Sequence, residues 1–425
     1  METKYLIIGN AAGAIGAIEG IRTIDKSGHT IVASSEPYPA YSRPEIAEYL
    51  SGERNFDEIR YRPVDFYEKN GVETLFGNSV MKLDAAGHTA ELADGRKISW
   101  QKALIATGGL PIMPKTPGME SKGVFNFVSL DDAKKIRDYI AGRKLGAVVI
   151  GGGLIGMSVS EALRKLGVRV SVVELKDYIL NTILDAEAGA FAAASVKKAG
   201  VNLITGRTVT KINSASDGTV SGVVLDSGVN IACEMVIFAI GVRPNTTLAT
   251  GTAIKVNRGI LVDRHMATSV PDVYACGDVA EAFDFTAGEA RLTPVWPNAY
   301  LGGRIAGFNM SGKIAEYPGG TAMNSLKYFG LEIATAGITA MVPDGYETMS
   351  GTDNGTFRKV ILKNGLISGM VLIGNIEKAG LVFSFMKDKV NVGGFKKLLV
   401  APDLNEAALP QAIYRSKLTP PVGVS

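Results

Sequence analysis

Short apolar runs along the chain feed into glycine turns and then into stretches with helical spacing. The clearest case is Ala147-Val148-Val149-Ile150, which runs straight into Gly151-Gly152-Gly153-Leu154-Ile155-Gly156. The pattern predicts a strand, a tight turn and a helix over 157–166. A further strand over 169–174 ends in Glu174. Strands apolar at every position, rather than at alternate ones, are those buried on both faces of a parallel sheet.

The N-terminus repeats the order. Residues 5–9 predict a strand, 10–14 a turn, 15–24 a helix and 30–34 a strand leading to Glu36. The turn is degraded. Gly9 holds the first glycine place, but Ala11 and Ala14 hold the second and third. Both halves continue alike, through hairpin strands to an apolar strand ending in small residues. These endings are Ala106-Thr107-Gly108 in the first half and Ala239-Ile240-Gly241 in the second. An order repeated across the whole chain is a more specific signal than either turn alone.

Chemistry explains the pattern. In G-x-G-x-x-G the first glycine permits the turn, the second lets backbone N–H groups approach a pyrophosphate, and the third lets helix pack on strand. The helix N-terminus favours an anion, and the acid after the next strand meets a ribose. Gly151, Gly153, Leu154, Ile155, Gly156 and Glu174 fit a dinucleotide site; a glycine turn of some other α/β fold would leave Glu174 unexplained. Glu36 reads the same way or as a solvated loop acid. The proline-rich loop 36–44 reads either as a phosphate-side loop through Arg43 or as a stiff surface loop. Residues 273–278 give another strand, ending in Cys276-Gly277-Asp278.

The expected fold class is α/β. Two Rossmann-like dinucleotide-binding domains, the second inserted in the first, precede a smaller α+β C-terminal domain. The expected boundaries are 1–112 with 243–318 for the first, 113–242 for the second, and 319–425 for the third. The third carries strands near 359–362 and 368–373 and helical stretches near 379–389 and 395–400.

Composition then excludes several classes. A net charge of +3 over 425 residues gives no case for nucleic acid or an anionic membrane. Two cysteines, Cys233 and Cys276, cannot form a disulfide framework or a cysteine metal cluster, and no metal site is expected. The apolar runs 7–21 and 145–159 read as buried strands feeding helices, not as a signal peptide or a membrane span. The expectation is a soluble cytoplasmic protein. His29, His88 and His265 are scattered and read as structural or solvated.

Together these residues resemble the two-dinucleotide-binding-domain flavoproteins of the pyridine nucleotide-disulfide oxidoreductase fold. Pro37-Tyr38, Tyr41-Ser42-Arg43-Pro44, Val295-Trp296-Pro297-Asn298-Ala299, Gly303-Arg304, Asn309-Met310 and Met323-Asn324-Ser325 match the branch of NADH:rubredoxin reductases and the flavin half of nitrite reductases. A narrower likeness is to the NADH-linked flavin (epsilon) subunit of phenylglyoxylate dehydrogenase.

The resemblance implies FAD in the first unit and NAD(H) in the second. Gly9, Ala11, Ala14, Glu36, Arg43, Ala106, Thr107, Gly108, Asp278 and Trp296 would hold FAD. Gly151, Gly153, Leu154, Ile155, Gly156, Glu174 and Gly241 would hold NAD(H). Many relatives pair a lysine and a glutamate near flavin N5; here those places hold Glu48 and Ser158. Relatives that reduce disulfides or peroxide need a cysteine near the flavin, and the Ser42-Arg43 region has none.

The implied activity is hydride transfer between NAD(H) and FAD, followed by electron transfer to or from an iron–sulfur protein partner. The chain would serve as the NAD-linked subunit of a larger oxidoreductase complex, hetero-oligomeric, or as a homodimer. The alternatives are a stand-alone NADH oxidase or rubredoxin/ferredoxin reductase, and a non-catalytic flavin-bound scaffold or redox sensor. Lysines at 387, 389, 396 and 397 read as a solvated helix face rather than a surface for an acidic partner.

Overall fold

The computed structural model describes residues 1–402, 404, 409–411 and 413. The end of the expected 319–425 domain therefore lies outside the described residues. By backbone contacts the chain divides into two compact units, one of residues 1–175 and 201–321, the other of 176–200 and 322 onward.

The first unit contains both repeats. In the first, β1 (Glu2–Ile8) enters the turn and α1 (Ala12–Ile24) leaves it, followed by β2 (Thr30–Ser34), a short helix α2 (Ile46–Ser51) and β3 (Val72–Phe76). The hairpin β4 (Val80–Asp84) and β5 (Thr89–Leu92) leads into the long β6 (Lys97–Ile105). β3, β2, β1 and β6 lie side by side and parallel. All residues of β2 are buried, as are the last four of β1. This is the doubly covered parallel sheet that the unbroken apolar runs require.

The second repeat begins with β7 (Val124–Asn126) and α3 (Leu130–Ile140). It continues with β8 (Gly146–Ile150), α4 (Leu154–Lys165) and β9 (Arg169–Glu174). α3 starts with a complete capping box. Ser129 Oγ accepts from Asp132 N, and the Asp132 carboxylate accepts from Ser129 N. Segment 176–200, with α5 (Ala186–Lys198), belongs to the second unit. The chain then returns as β10 (Asn202–Thr205) and, after three short strands, β11 (Met235–Phe238). The parallel order is β10-β9-β8-β11-β7.

After this sheet the chain rejoins the first. β12 (Val273–Ala275) pairs with the end of β6, and α6 (Trp296–Met310) lies along α1. The two helices meet backbone to backbone. A Cβ on Gly16 would stand 2.1 Å from Tyr300 O, and one on Gly303 would stand 1.9 Å from Gly13 O. Only glycine allows that approach.

Both helices that leave a glycine turn start earlier than the apolar spacing predicts, at 12 rather than 15 and at 154 rather than 157. The last turn residues already have helical dihedrals, although they carry no apolar stripe to announce it. No helix among the described residues is long and apolar enough to cross a membrane.

The second unit is an antiparallel sheet. Its strands are β13 (Met323–Tyr328), β14 (Leu331–Gly337), β15 (Glu347–Asp353), β16 (Thr356–Lys363) and β17 (Leu366–Ile373), in the order β13-β14-β17-β16-β15. α7 (Ala379–Lys387) packs on β17 and β14. α5 packs on the sheet through Phe191 against Phe357, with ring centroids 5.5 Å apart, and through an ion pair of Asp185 with Lys359.

Candidate functional site

The two glycine turns are built by the same three contacts. Gly9 N donates to Ala33 O and Gly151 N to Val173 O, each at 2.8 Å. Ala106 N donates to Ile8 O and Ala239 N to Ile150 O, again at 2.8 Å. Gly9 has φ +111° and Gly151 φ +108°, and a Cβ on either would strike a carbonyl, Ala106 O at 2.2 Å or Ala239 O at 2.4 Å. The repeat read from sequence order is thus a repeat of atoms.

The turns differ where their sequences do. At the third glycine place of the second turn, a Cβ on Gly156 would stand 1.9 Å from Gly151 O, so helix and turn touch there. Ala14 holds that place in the first turn and is fully buried, so the first fold accommodates the extra methyl.

Gly153 is the informative residue. It has ordinary negative φ at the N-cap of α4, and no protein atom lies within 4 Å of where its Cβ would stand. The protein's own packing does not require glycine here, and its absent side chain leaves room for a group approaching from outside. α4 has no side-chain cap, and neither does α1, whose N-cap is Ala11. Helix N-termini usually find a side-chain acceptor, and an N-terminus without one suits an anion. These residues fit a dinucleotide pyrophosphate at each turn.

Glu174 ends β9 and is brought to the second turn, where its Oε2 accepts from Gly152 N at 2.6 Å. Gly241 follows β11 with φ +118°, and its carbonyl accepts from Ile112 N at 3.0 Å. Leu154 and Ile155 form the first turn of α4, half-exposed.

On the first side, the carboxylate of Glu36 accepts from Tyr41 OH at 2.5 Å and pairs with Arg43. Arg43 also donates to Val128 O at 3.1 Å. Asp278 follows β12 and faces Arg43. It has no hydrogen-bond partner among the described residues, and burial pushes its carboxyl up while Arg43 opposes the shift. A half-exposed carboxylate without a protein donor is an acceptor that a ligand hydroxyl can use. Trp296 opens α6 half-buried, edge-on to Tyr61 at 5.0 Å between ring centroids. Thr107 Oγ1 donates to Asn245 O, and Gly108 O accepts from Asn245 N, so the end of β6 is tied to residue 245.

Sequence reading missed three side chains. Asn10 holds loop 36–44 by donating to Tyr38 O at 3.1 Å, and its own carbonyl accepts from Tyr67 OH at 2.7 Å. Tyr67 OH in turn accepts from Ala40 N. Tyr41 OH, besides serving Glu36, accepts from Leu130 N at 3.0 Å. Asn10 beside the first glycine turn was the available signal.

The cysteines do not form a thiol site. Cys233 and Cys276 are each 1% exposed, and burial pushes both thiols up to about 12. Cys276 Sγ packs on the start of α1, where a Cβ on Gly13 would meet it at 2.7 Å. The histidines are peripheral. His29 Nε2 lies 3.1 Å from Glu73, His88 stacks on Trp100, and His265 Nδ1 lies 3.0 Å from Ala315 O.

Comparison with known proteins converges on one group. Residues 3–303 match the family model of pyridine nucleotide-disulphide oxidoreductases, and residues 323–390 match the rubredoxin NAD+ reductase C-terminal domain. The chain is 30% identical over 408 residues to the NADH-dependent phenylglyoxylate dehydrogenase subunit epsilon of Aromatoleum evansii, covering 95% of this chain and 96% of that one. It is also 30% identical over 377 residues to the NADH-rubredoxin oxidoreductase of Clostridium acetobutylicum, covering 88% and 92%. The crystal structure of the NADH:rubredoxin oxidoreductase from that organism superposes with a TM-score of 0.76 at 27% identity, over 93% of this chain and 97% of that one.

Proposed function

The chain belongs to the pyridine nucleotide-disulphide oxidoreductase family, and from that premise we propose that it is the NAD(H)-linked electron-transfer component of a larger oxidoreductase, exchanging electrons with an iron–sulfur protein. It is an NADH-dependent flavoprotein oxidoreductase, and its cofactors are FAD and NAD(H). In this reading residues 1–112 and 243–318 form the FAD domain, 113–242 the NAD(H) domain and 319–425 the interface domain. The observation that carries the reading is the match of residues 323–390 to the rubredoxin NAD+ reductase C-terminal domain, and the nucleotide site within it is supported by Gly153, whose missing side chain leaves room that nothing in the protein fills.

Each residue then has a task. The α1 N-terminus, with Gly9, Ala11 and Ala14, holds the FAD pyrophosphate. Glu36 has two acceptor positions taken, by Tyr41 and Arg43, and a carboxylate offers about four, so it can also accept from the adenosine ribose. Asp278 takes a ribitol hydroxyl. Ala106, Thr107 and Gly108 form the strand end beside the cofactor, and Trp296 stands near the flavin. On the second side Gly151, Gly153 and Gly156 with the α4 N-terminus hold the NAD(H) pyrophosphate, Glu174 its ribose, and Gly241 borders the nicotinamide arm. When bound, FAD supplies the hydride and single-electron chemistry that side chains lack.

Support for an iron–sulfur partner comes from the second unit's match to a rubredoxin reductase domain. The phenylglyoxylate dehydrogenase relative, similar over nearly its whole length, supports the place in a complex. Buried, protonated thiols argue against a disulfide- or peroxide-reducing role.

Purified chain reconstituted with FAD should lose its flavin absorbance on anaerobic addition of NADH and regain it on addition of an oxidised ferredoxin-type protein. A flavin that NADH leaves unbleached overturns the reading. Fast aerobic NADH oxidation without any acceptor would instead make the chain an oxidase.

The ribose assignment predicts cofactor choice. A carboxylate repels a 2′-phosphate by about 1–4 kcal/mol, depending on the effective dielectric. Glu174→Ala should therefore raise the NADPH-to-NADH ratio of kcat/KM at least about fivefold. Because the change also orphans the buried Gly152 N–H, it should lower stability by about 1–3 kcal/mol. An unchanged cofactor ratio removes Glu174 from the site.

A further inference from the structure

The chain passes between the two nucleotide folds twice, and both crossings run in one short ribbon, Gly109–Pro111 paired antiparallel with Val242–Pro244. Two short segments side by side join the folds but act as a hinge, leaving a rotation about the ribbon open. Hydride transfer needs donor and acceptor rings near contact, and a misplacement of about 1 Å costs about a hundredfold in rate. The rotation therefore has to be fixed, and a polar joint at the start of α3 fixes it.

Loop 36–44 grips the start of α3 with three side chains. Tyr41 OH accepts from Leu130 N at 3.0 Å, and Arg43 donates to Val128 O at 3.1 Å. Tyr38 OH donates to Asp131 Oδ1 at 2.6 Å and accepts from Lys134 Nζ at 2.9 Å. The loop is itself pinned to the first fold. Ser42 N donates to Ile59 O at 2.7 Å, Tyr61 N donates to Ala40 O at 2.9 Å, and Asn10 holds Tyr38 O. The segment it grips is equally firm, because Ser129 and Asp132 close the capping box there. Two rigid parts thus meet through directional hydrogen bonds. Other ties across this boundary are less exacting. α2, which carries Glu48, packs on α3 and on α4, which carries Ser158. The ion pair of Lys165 with Glu53, at 2.9 Å, is exposed and worth little.

We propose that Tyr38 and Tyr41 are positioning residues for hydride transfer: by latching the start of α3 to loop 36–44 they hold the NAD(H) fold where its nicotinamide meets the flavin. The inference rests on the FAD and NAD(H) assignment above. Tyr41 also donates to Glu36, the carboxylate assigned to the FAD ribose, so it serves both sites. Among the described residues the Tyr38 hydroxyl bonds only to α3, through Asp131 and Lys134. The grip carries across the second sheet. β7, which leads into α3, pairs with β11, and Gly241 at the nicotinamide arm follows β11. A bond lost at Tyr38 therefore shifts the hydride donor without removing a contact to either nucleotide.

The test uses the FAD-loaded protein. Anaerobic stopped flow follows the bleaching of flavin by NADH, and saturation with NADH separates the limiting rate from nucleotide affinity. Tyr38→Phe should keep its flavin and bind NADH within about twofold of the parent, while its limiting rate falls about tenfold. NADH deuterated at the reacting carbon should slow the variant further, which places the loss in the hydride step. Asp131→Ala should lower the rate by a similar factor, and the double variant should be no slower than either single one, because all three lack the same bond. Tyr41→Phe should slow the step and also weaken FAD binding. Limiting rates within about twofold of the parent in both Tyr38→Phe and Asp131→Ala overturn the proposal, whatever becomes of Tyr41→Phe. So does a slowed step matched by an equal loss of NADH affinity or of flavin, which marks damage to the sites themselves. A parent flavin that NADH leaves unbleached overturns the cofactor assignment, and the proposal falls with it.

Discussion

Replacing Gly153 by valine should leave the fold intact and nearly abolish the use of NADH. A Cβ at this position meets no protein atom within 4 Å, and the backbone there, at φ −81° and ψ −169°, suits a β-branched residue. The stability cost is that of a poorer N-cap, about 1 kcal/mol. The added side chain projects into the space that the pyrophosphate needs, so KM for NADH should rise about a hundredfold or more while flavin content holds and the melting temperature falls by only about 2–4 °C. Gly156→Ala supplies the contrast. Its methyl would stand 1.9 Å from Gly151 O, and this variant should lose stability along with nucleotide binding. Thermal melts and NADH titrations of the two proteins separate the roles. Equal NADH affinity in Gly153→Val and the parent would remove the second turn from nucleotide binding.

Asp278→Asn should move stability and cofactor affinity in opposite directions. Burial raises the Asp278 carboxyl above its ordinary 3.8 in the folded chain. A carboxyl raised on folding contributes stability that is fully present below its ordinary value and is lost as pH rises through the raised one. As pH rises through the raised value the ionising group therefore works increasingly against the fold, and asparagine removes that opposition. The apoprotein variant should gain in melting temperature over the parent as pH rises, with the advantage shrinking on acidification. FAD affinity should meanwhile fall about tenfold to a hundredfold, the usual worth of a hydrogen bond to a charged group. Melting curves of apoprotein across pH and flavin titrations check both halves. A variant that melts no higher and binds FAD as the parent does would show that Asp278 faces no ligand.

How much of this was legible beforehand follows from which residues work locally. The two turns could be read because Gly9 and Gly151 take positive φ and Gly156 packs on Gly151 within one strand–turn–helix unit. Sequence order also revealed the repeat, and the paired contacts of Ala106 and Ala239 give it an atomic form. What stayed hidden depends on distant partners. Glu36 and Arg43 were read as separate ligand groups, yet they pair with each other. Tyr41 and Asn10 act through Leu130 and Tyr67, positions that no local pattern connects to them. The glycines of α6 gave no periodic signal of their own, because their partner face lies on α1, nearly the whole first unit away in sequence. α5 reads as the helix joining β9 to β10, yet it groups with the C-terminal sheet through Phe191 and Asp185.

The close approach of α6 to α1 has a consequence for biosynthesis. During translation α1 emerges early, but the glycine face it offers has no occupant until residue 303 and its neighbours have left the ribosome. β12, which completes the end of the first sheet, also arrives late. The segment from β7 to β11 needs nothing from later in the chain to pair its strands. The nascent chain should therefore assemble its middle before its beginning, and the opening sheet must wait, incomplete, for the helix that closes it.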